Sequence, residues 1–344
     1  MNILPGFYSE RNKGHKTGRI LFGLSVLLAV SICLGLAAGS SVLDLPAVVL
    51  ELLEGSASSP GARILLHVRL PRVCAALLAG AALAVSGVLI QAVLSNPLAS
   101  PNVIGVNGGA GFFTFLTMAL FPANREWLAA GAFLGALCAA MLIYAVASGA
   151  GAGKLTIILA GMAVGSIFTA GMNAIKTFFP DTLYNGSSFL IGGFSGVAGQ
   201  DLTPAWMGIT AGILAACLYS RRTDVLCLGE ETAFSLGLPV KQTRFFLILI
   251  ACILAGSAVS FSGLISFVGL LVPHIARRLS GTAHRVLIPA SALLGASFVT
   301  LCDLASRVLF APYEIPVGIL LSLVGGPFFL FLIVKQRNRR GGGR

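Results

Sequence analysis

Residues 219–244, YSRRTDVLCLGEETAFSLGLPVKQTR, form the longest charged run of the chain and separate two long apolar halves. Within this run, Glu230 and Glu231 place carboxylates in the first turn of a short helix, where the helix dipole favours negative charge. Gly237, with a proline two residues later, ends that helix. The pattern therefore predicts about two turns of helix that begin at Gly229.

This short helix carries apolar side chains although it lies outside any run long enough to cross a bilayer. The side chains are Ala233, Phe234 and Leu236, and they need a cover. A partner protein that receives an amphipathic helix in a groove is one candidate. The other candidate is the chain's own membrane domain, and the residues leave both open.

The composition is that of an integral membrane protein. Of the 344 residues, 56% are hydrophobic and 10% are charged, whereas about a quarter of the residues of a soluble domain are charged. The seven cysteines are scattered, mostly within apolar runs, and form no CxxC pair. This spacing indicates neither a zinc site nor a disulfide framework. We expect an all-α membrane fold that needs no cofactor.

Ten apolar runs are predicted to cross the membrane, and the eighth of them is short. The chain then divides into a polar N-terminal segment (1–19), one membrane domain (20–334) and a basic tail (335–344). A cleaved signal peptide is the alternative for the first run. Residues 181–201 are rich in Gly and Ser and predict a partial helix outside the membrane or re-entering it. The ten runs are 20–39, 71–94, 103–121, 127–148, 156–178, 202–219, 242–262, 263–279, 286–310 and 315–334.

The basic residues are distributed unequally over the predicted loops. Most of the 23 Lys and Arg residues fall in the N-terminal segment, in residues 219–244, in the other loops on that side and in the C-terminal tail. Cytoplasmic loops carry an excess of Lys and Arg, so this distribution places both termini and residues 219–244 in the cytoplasm. It also explains the net charge of +11 without a nucleic-acid partner.

Residues 75–97 and 251–273 share a spaced pattern of Ala, Leu, Gly, Ser and Pro that indicates an internal repeat. An odd number of predicted spans separates the two copies. They would therefore enter the membrane from opposite faces, as inverted repeats do in many transporters. Pro97 and Pro273 would then break their helices at equivalent places. His274, beside the second break, either faces a cavity or packs within the bundle.

The sequence shows no catalytic constellation. The four histidines are far apart and no paired carboxylates lie within an apolar run, so an enzyme is not predicted. Asp303 lies well inside a predicted span, and Arg307 follows one helical turn later on the same face. A structural ion pair is favoured over a proton relay, because the pair offsets the cost of a charge in mid-membrane.

Six groups of residues, in a fixed order, carry a resemblance to a known family. They are Arg69-Leu70-Pro71-Arg72, Asn96-Pro97-Leu98-Ala99, Leu159-Ala160-Gly161, Gly229-Glu230 with Leu236-Gly237, Val272-Pro273-His274, and Glu314-Ile315-Pro316-Val317-Gly318. In this order and spacing the chain resembles the FecCD family of ABC importer permeases. The resemblance covers nearly the whole chain.

The resemblance implies an ABC importer permease fold of ten helices in the bacterial cytoplasmic membrane. It also implies a second permease subunit, identical or closely related, and two cytoplasmic ATPase subunits. The ATPase subunits, and not this chain, would hydrolyse the ATP. An extracytoplasmic binding protein would deliver a metal chelate. An iron-siderophore is the first expectation for that chelate, and cobalamin and haem are the alternatives.

Particular residues also receive roles from the resemblance. Arg69, Arg72 and Arg307 would dock acidic residues of the binding protein, although headgroup anchoring is the alternative for the first two and Asp303 competes for the third. The loop that narrows the inner mouth of the pathway would be Asn96, Pro97 and Leu98. The ATPase contact would consist of Gly229, Glu230, Glu231, Ala233, Leu236, Gly237 and Leu238.

A secondary transporter driven by an ion gradient is the competing class, since inverted repeats occur there as well. It would need a coupling carboxylate in mid-membrane, for which Asp303 is the one available residue. A membrane-embedded enzyme is a third class, and it would need a cluster of acids, bases or metal ligands that the sequence does not show.

Overall fold

The computed structural model describes residues 6–39, 44–55, 59–124, 126–149 and 153–341, and every regular element in these ranges is helical. A π-helical turn (Leu65–Arg69) and a 3₁₀ turn (Pro101–Ile104) join some of the α-helices. The α-helices are α1 (Gly6–Ala37), α2 (Leu45–Leu53), α3 (Pro60–Ile64), α4 (Leu70–Val93), α5 (Val106–Leu120), α6 (Glu126–Gly149), α7 (Lys154–Phe178), α8 (Asp181–Ile191), α9 (Gly199–Leu226), α10 (Glu230–Ser235), α11 (Val240–Ser262), α12 (Val268–Ser280), α13 (His284–Val308) and α14 (Val317–Gly341).

Each of the ten predicted apolar runs contains a helix, which confirms an all-α membrane protein. Among the described residues, seven segments are long and apolar enough to cross a membrane: α1 from Thr17, α3 with α4, α6, α7, α9, α11 and α13. Helix α5 and the first part of α14 are shorter apolar helices, and α12 has 13 residues. The predicted terminal segments 1–19 and 335–344 are helical where they are described, and residues 1–5 and 342–344 lie outside the described ranges.

Helix α4 lies at the centre of the bundle and is buried along most of its length. Its small residues let neighbouring backbones approach closely. A Cβ atom on Gly80 would clash with the carbonyl oxygen of Gly295 in α13, and a Cβ atom on Gly87 would clash with the carbonyl oxygen of Gly269 in α12. Both contacts are between backbones, so both positions of α4 require glycine.

The prediction that Pro273 breaks its helix is wrong, because Pro273 lies inside α12. A proline cannot donate a hydrogen bond to the carbonyl four residues earlier. That carbonyl belongs to Gly269, and the Nε2 of Gln91 in α4 donates to it at 3.3 Å. A side chain of a neighbouring helix thus replaces the hydrogen bond that the proline removes. The actual break lies at residues 263–267, where Phe267 has a φ of 67°.

The two predicted breaks are also not equivalent in position. Helix α4 continues to Val93, shortly before Pro97. Helix α11 ends at Ser262, which matches Ser86 in the proposed repeat, so the second helix stops about two turns earlier than the first. The inverted repeat itself stays a prediction.

Residues 181–201 contain helix α8, as the prediction of a partial helix requires. The end of α8 is bound to two other parts of the chain. Leu264 N–H, in the break before α12, donates to the Phe189 carbonyl at 2.8 Å, and Gly318 N–H of α14 donates to the Gly192 carbonyl at 3.1 Å. Helix α8 therefore joins the α11–α12 connection to the start of α14.

The bundle has two ends that carry different elements. The α8 end holds α8, the start of α4, the end of α13 and the start of α14. The α10 end holds α10, the end of α9 and the starts of α11 and α13. Helices α9, α11 and α13 each run from one end to the other, so several helices connect the two ends directly.

Candidate functional site

Helix α10 lies between two glycines with positive φ, Gly229 (108°) and Gly237 (79°). At its end, Leu238 N–H donates to the Ala233 carbonyl at 3.0 Å and Gly237 N–H donates to the Phe234 carbonyl at 2.9 Å. These two bonds form a Schellman motif, in which a glycine takes the left-handed position after a helix. The predicted short helix and both of its ends are confirmed.

The apolar side chains of α10 divide between burial and exposure. Ala233 is fully buried, and Leu238 packs partly against the core. Phe234 is 76% exposed and Leu236 is 63% exposed. The chain's own membrane domain therefore covers one side of α10 and leaves two large apolar side chains uncovered.

An ion pair and a pair of hydrogen bonds to an aspartate hold α10 and the residues before it against the bundle. Arg244 of α11 is buried, and its Nη2 donates to Glu230 Oε1 at 2.6 Å. Asp224, near the end of α9, accepts hydrogen bonds from the backbone N–H (3.0 Å) and Nδ1 (2.6 Å) of His284 at the start of α13. The sequence did not reveal the Asp224 pair, because 60 residues separate its partners. Helix α10 thus belongs to a junction of α9, α11 and α13.

The three residues predicted for the inner mouth of the pathway lie in the turn after α4. Asn96 Oδ1 accepts from Leu98 N–H at 2.9 Å, and the Asn96 carbonyl accepts from Ala99 N–H at 3.1 Å. An asparagine that bonds the backbone two residues later stabilises such a turn. Pro97 between them is exposed. The turn has a defined shape, and its role at a pathway stays a prediction.

His274, predicted beside a helix break, packs within the bundle. It lies inside α12 and is half-buried. Its ring meets the ring of Phe328 in α14 edge-on, with 6.1 Å between the centroids. Of the two alternatives for His274, the structure shows the packing one.

Four charged residues form a network at the α8 end. Arg72 Nε donates to Asp303 Oδ1 at 3.1 Å, and Arg72 Nη1 donates to Glu314 Oε2 at 2.6 Å. Arg307 Nε lies 3.1 Å from Asp303 Oδ2. The Asp303 side chain is 1% exposed and the Glu314 side chain is 32% exposed. The favoured ion pair of Asp303 and Arg307 is therefore present. Arg72 and Glu314 add one positive and one negative charge, so the network is neutral overall.

The three arginines predicted to dock a binding protein are all buried. Arg72 and Arg307 bind the acids of the network. Arg69 Nη1 donates to the carbonyl oxygens of Leu36 (2.8 Å) and Ala37 (2.7 Å) at the end of α1. The expected exposed basic surface is not found at these positions, because α1, α13 and the segment before α14 supply their acceptors.

A half-open cavity of about 640 Å³ lies beside the charge network at the α8 end. Helix α8, the ends of α5 and α11, the starts of α6 and α9 and the segment before α14 enclose it. Its polar lining includes Arg72, Thr114, Asp181, Asp201 and Glu314. Among the described residues, no three His, Cys, Asp or Glu side chains are grouped so as to hold a metal ion.

A bundle of long apolar helices, with a short exposed helix at one end and a cavity at the other, defines a multi-pass membrane protein of the permease class. The chain belongs to the FecCD transport family, whose sequence profile matches residues 27–335.

Individual relatives support this family assignment, and each aligns with the chain over most of its length. The chain is 37% identical to the Fe(3+)-citrate import system permease protein YfmE of Bacillus subtilis (strain 168), over 92% of this chain and 95% of that one. It is 35% identical to the hemin transport system permease protein HmuU of Yersinia pestis, over 96% and 99% of the two chains. A solved inward-facing structure of an ABC transporter of the metal-chelate type superposes with a TM-score of 0.82 at 30% identity, over 92% and 99% of the two chains.

Proposed function

We propose that this chain is the membrane-spanning permease subunit of an ATP-driven importer and forms the pathway for a metal chelate. The observation that carries the proposal is the exposed apolar pair Phe234 and Leu236, on a helix whose other side is tied to the bundle. Helices that lie in a partner's groove bind through exposed apolar side chains of this kind. The ferric-citrate and hemin permeases among the relatives support a metal chelate as cargo.

In this proposal, two separate cytoplasmic subunits hydrolyse the ATP, and each one receives an α10 helix in a groove. Closure of the ATPase pair pushes α10. Because Arg244 and Asp224 tie this region to α11 and α13, the push moves those helices as rigid bodies. Residues Gly229 to Leu238 thus act as the coupling segment, and this chain hydrolyses nothing itself.

The charge distribution supports an orientation with the α10 end in the cytoplasm of a bacterial cell. Basic side chains concentrate there, as the cytoplasmic side of a membrane protein requires. Both chain termini would then be cytoplasmic, in the cytoplasmic membrane. The basic residues of the α10 end include Arg221, Arg222, Lys241, Arg244, Arg277, Arg278 and Arg285.

We propose that a second permease subunit, identical or closely related, packs against part of the bundle. Helix α7 presents Leu155, Met162 and Ile167 as exposed apolar side chains. In the assembled importer, lipid and the second permease would share this surface. An extracytoplasmic binding protein would meet the α8 end and deliver the chelate there. We propose an iron-siderophore as that chelate, with haem and cobalamin as alternatives.

We also propose that the binding protein docks at Arg69, Arg72 and Arg307. Carboxylates of the binding protein would then bind the same guanidinium groups that already donate hydrogen bonds within this chain. We expect Arg69→Gln to weaken docking about tenfold and to reduce its salt dependence, because one charge is removed from the interface. Arg69→Lys keeps the charge and serves as the matched control. Docking is measured on the folded fraction at two salt concentrations, and an unchanged affinity for Arg69→Gln would exclude Arg69 from the interface.

The proposed function is tested by uptake of an iron-loaded chelate into proteoliposomes that contain this chain, its ATPase and its binding protein. We expect uptake that requires ATP and persists when a protonophore abolishes the proton gradient. Uptake without ATP that stops on addition of the protonophore would identify an ion-coupled secondary transporter and contradict the proposal.

A further inference from the structure

We infer that Gln91 and Pro273 form a latched hinge in α12. Gln91 fastens the two halves of α12 to each other, and α12 bends at Pro273 when these bonds open during transport. The inference rests on the proposed function, because it concerns how the importer changes its conformation. It gives Gln91 a positioning role, in which the residue acts through α12 and not on the cargo.

Pro273 divides α12 into two halves, residues 268–272 and 274–280. Because proline has no backbone N–H, the carbonyl of Gly269 receives no hydrogen bond from the next turn of its own helix. Sharp kinks in helices occur mostly at such prolines. Membrane helices tolerate them where a neighbouring helix supplies the missing bond. The stiffness of α12 at Pro273 therefore depends on a side chain from α4.

The side-chain amide of Gln91 binds both halves of α12. Its Nε2 donates to the Gly269 carbonyl at 3.3 Å, before the proline. Its Oε1 accepts from Arg277 Nη1 at 2.5 Å, after the proline. The orientation of the amide is fixed, because arginine only donates and a carbonyl only accepts. Gln91 is 3% exposed, so opening these bonds leaves polar groups without water to replace them. The amide thus stabilises one arrangement of the two halves.

Close packing of two backbones places Gln91 within reach of α12. Gly87 lies one turn before Gln91, and a Cβ atom at Gly87 would clash with the carbonyl oxygen of Gly269. Gly269, Pro273 and Arg277 follow one another at intervals of four residues, so they share one face of α12. The face that contains the proline is therefore the face that lies against α4 and its amide.

The second half of α12 is connected to the α10 end of the bundle. Helix α12 ends at Ser280, and residues 281–283 lead directly to His284 at the start of α13. Asp224, at the end of α9 and just before α10, binds the backbone N–H of His284 at 3.0 Å and its Nδ1 at 2.6 Å. A push on α10 therefore reaches the second half of α12 through a short connection, and Pro273 is the point at which that half can move separately.

Gln91 also begins the turn that is predicted to narrow the inner mouth of the pathway. Its carbonyl accepts from Asn96 N–H at 3.0 Å, and Ser95 N–H donates to the Ala92 carbonyl at 3.1 Å. Ser95 has a φ of 47°, and these two bonds form a Schellman motif at the end of α4. One residue thus ends α4, shapes the turn and latches α12. Opening of the hinge is thereby linked to the turn.

The latch is tested by a double-mutant cycle on thermal unfolding in detergent. Gln91→Leu removes both side-chain bonds and should lower the Tm by about 4 °C. Pro273→Ala restores an N–H that can donate to the Gly269 carbonyl, so Gln91→Leu should cost about half as much in that background. Pro289→Ala, at a proline inside α13, is the matched control, and its effect should add to that of Gln91→Leu. Full additivity with Pro273→Ala would contradict the latch.

The hinge is tested in the assembled importer in lipid nanodiscs. Spin labels are attached at Val146→Cys in α6 and Leu279→Cys in α12, both exposed, after replacement of the native cysteines. A bend of about 20° at Pro273 would displace Leu279, about 9 Å further along α12, by about 3 Å. We expect the distance between the labels to change by about this amount when the ATPase is trapped with ATP.

Two variants separate the latch from the hinge in this experiment. Gln91→Leu should populate both distances without ATP, because the latch is open. Pro273→Ala should bind the ATPase normally, show one distance with and without ATP, and reduce uptake by proteoliposomes at least about tenfold, since α12 no longer bends. If Gln91→Leu does not fold, Gln91→Asn takes its place, because its shorter side chain cannot bind both partners.

The possible results distinguish this inference from the proposed function. Normal uptake by Pro273→Ala, or an unchanged distance in a wild-type importer whose uptake requires ATP, would overturn the hinge while the proposed function stands. Uptake that is independent of ATP would overturn the proposed function. The cycle on thermal unfolding would still decide whether Gln91 replaces the bond that Pro273 removes.

Discussion

The double variant Phe234→Asp, Leu236→Asp is expected to reduce ATP-driven uptake to background. Both side chains are exposed on α10, and no part of the described chain covers them. Central interface residues of this kind contribute about 2 kcal/mol or more each. Losing both would weaken the ATPase contact by about three orders of magnitude. Co-purification of the ATPase and uptake by proteoliposomes measure the effect.

The matched control for this pair is Phe234→Leu, Leu236→Met, which keeps both positions apolar and of similar size. It should retain most of the ATPase binding and uptake. Because the aspartates replace exposed residues, the double-aspartate variant should also reach the membrane and keep its thermal stability. Normal ATPase binding by the double-aspartate variant would remove α10 from the interface.

Asp303→Ala is expected to destabilise the fold by about 3 to 5 kcal/mol. The change removes the carboxylate that Arg72 and Arg307 share. Arg72 keeps its bond to Glu314, whereas the buried charge of Arg307 is left without an acidic partner among the described residues. Thermal unfolding in detergent and the yield of folded protein measure the loss. Glu314→Gln is the matched control, because Glu314 is 32% exposed and its ion pair is worth about 1 kcal/mol or less.

Replacing the whole buried group should restore stability even where the single variant does not fold. Arg72→Met, Asp303→Leu and Arg307→Met together remove the three buried charges of the network, and apolar replacements of buried ion pairs are often neutral. A different pattern would support the ion-coupled alternative. In that case Asp303→Asn would fold normally and lose uptake, while variants of α10 would retain it.

The sequence predicted those features that depend on local signals. The apolar runs predicted the helices, because hydropathy over about twenty residues reflects the thickness of the bilayer. Gly229 and Gly237 predicted both ends of α10, because each takes a backbone conformation that favours glycine. Asp303 and Arg307 lie one turn apart, so their pairing was also visible in the sequence.

Features that depend on contacts between distant residues were missed. The prediction for Pro273 used the local rule that a proline breaks a helix. In the structure, Gln91 from another helix donates a hydrogen bond to the carbonyl that the proline leaves free. The bond from Arg72 to Glu314 joins residues 242 positions apart. For that reason the arginines were expected to be exposed, although the fold provides partners for them.

The central claim, that α10 receives the push of an ATPase, is tested most directly by photo-crosslinking. The change Phe234→p-benzoylphenylalanine places the probe on the exposed face of α10 in the assembled, transport-active importer. We expect a crosslink to the ATPase subunit, and no such crosslink for Tyr184→p-benzoylphenylalanine on α8, which is exposed at the opposite end. An active importer whose ATPase crosslinks at Tyr184 and not at Phe234 would contradict the account.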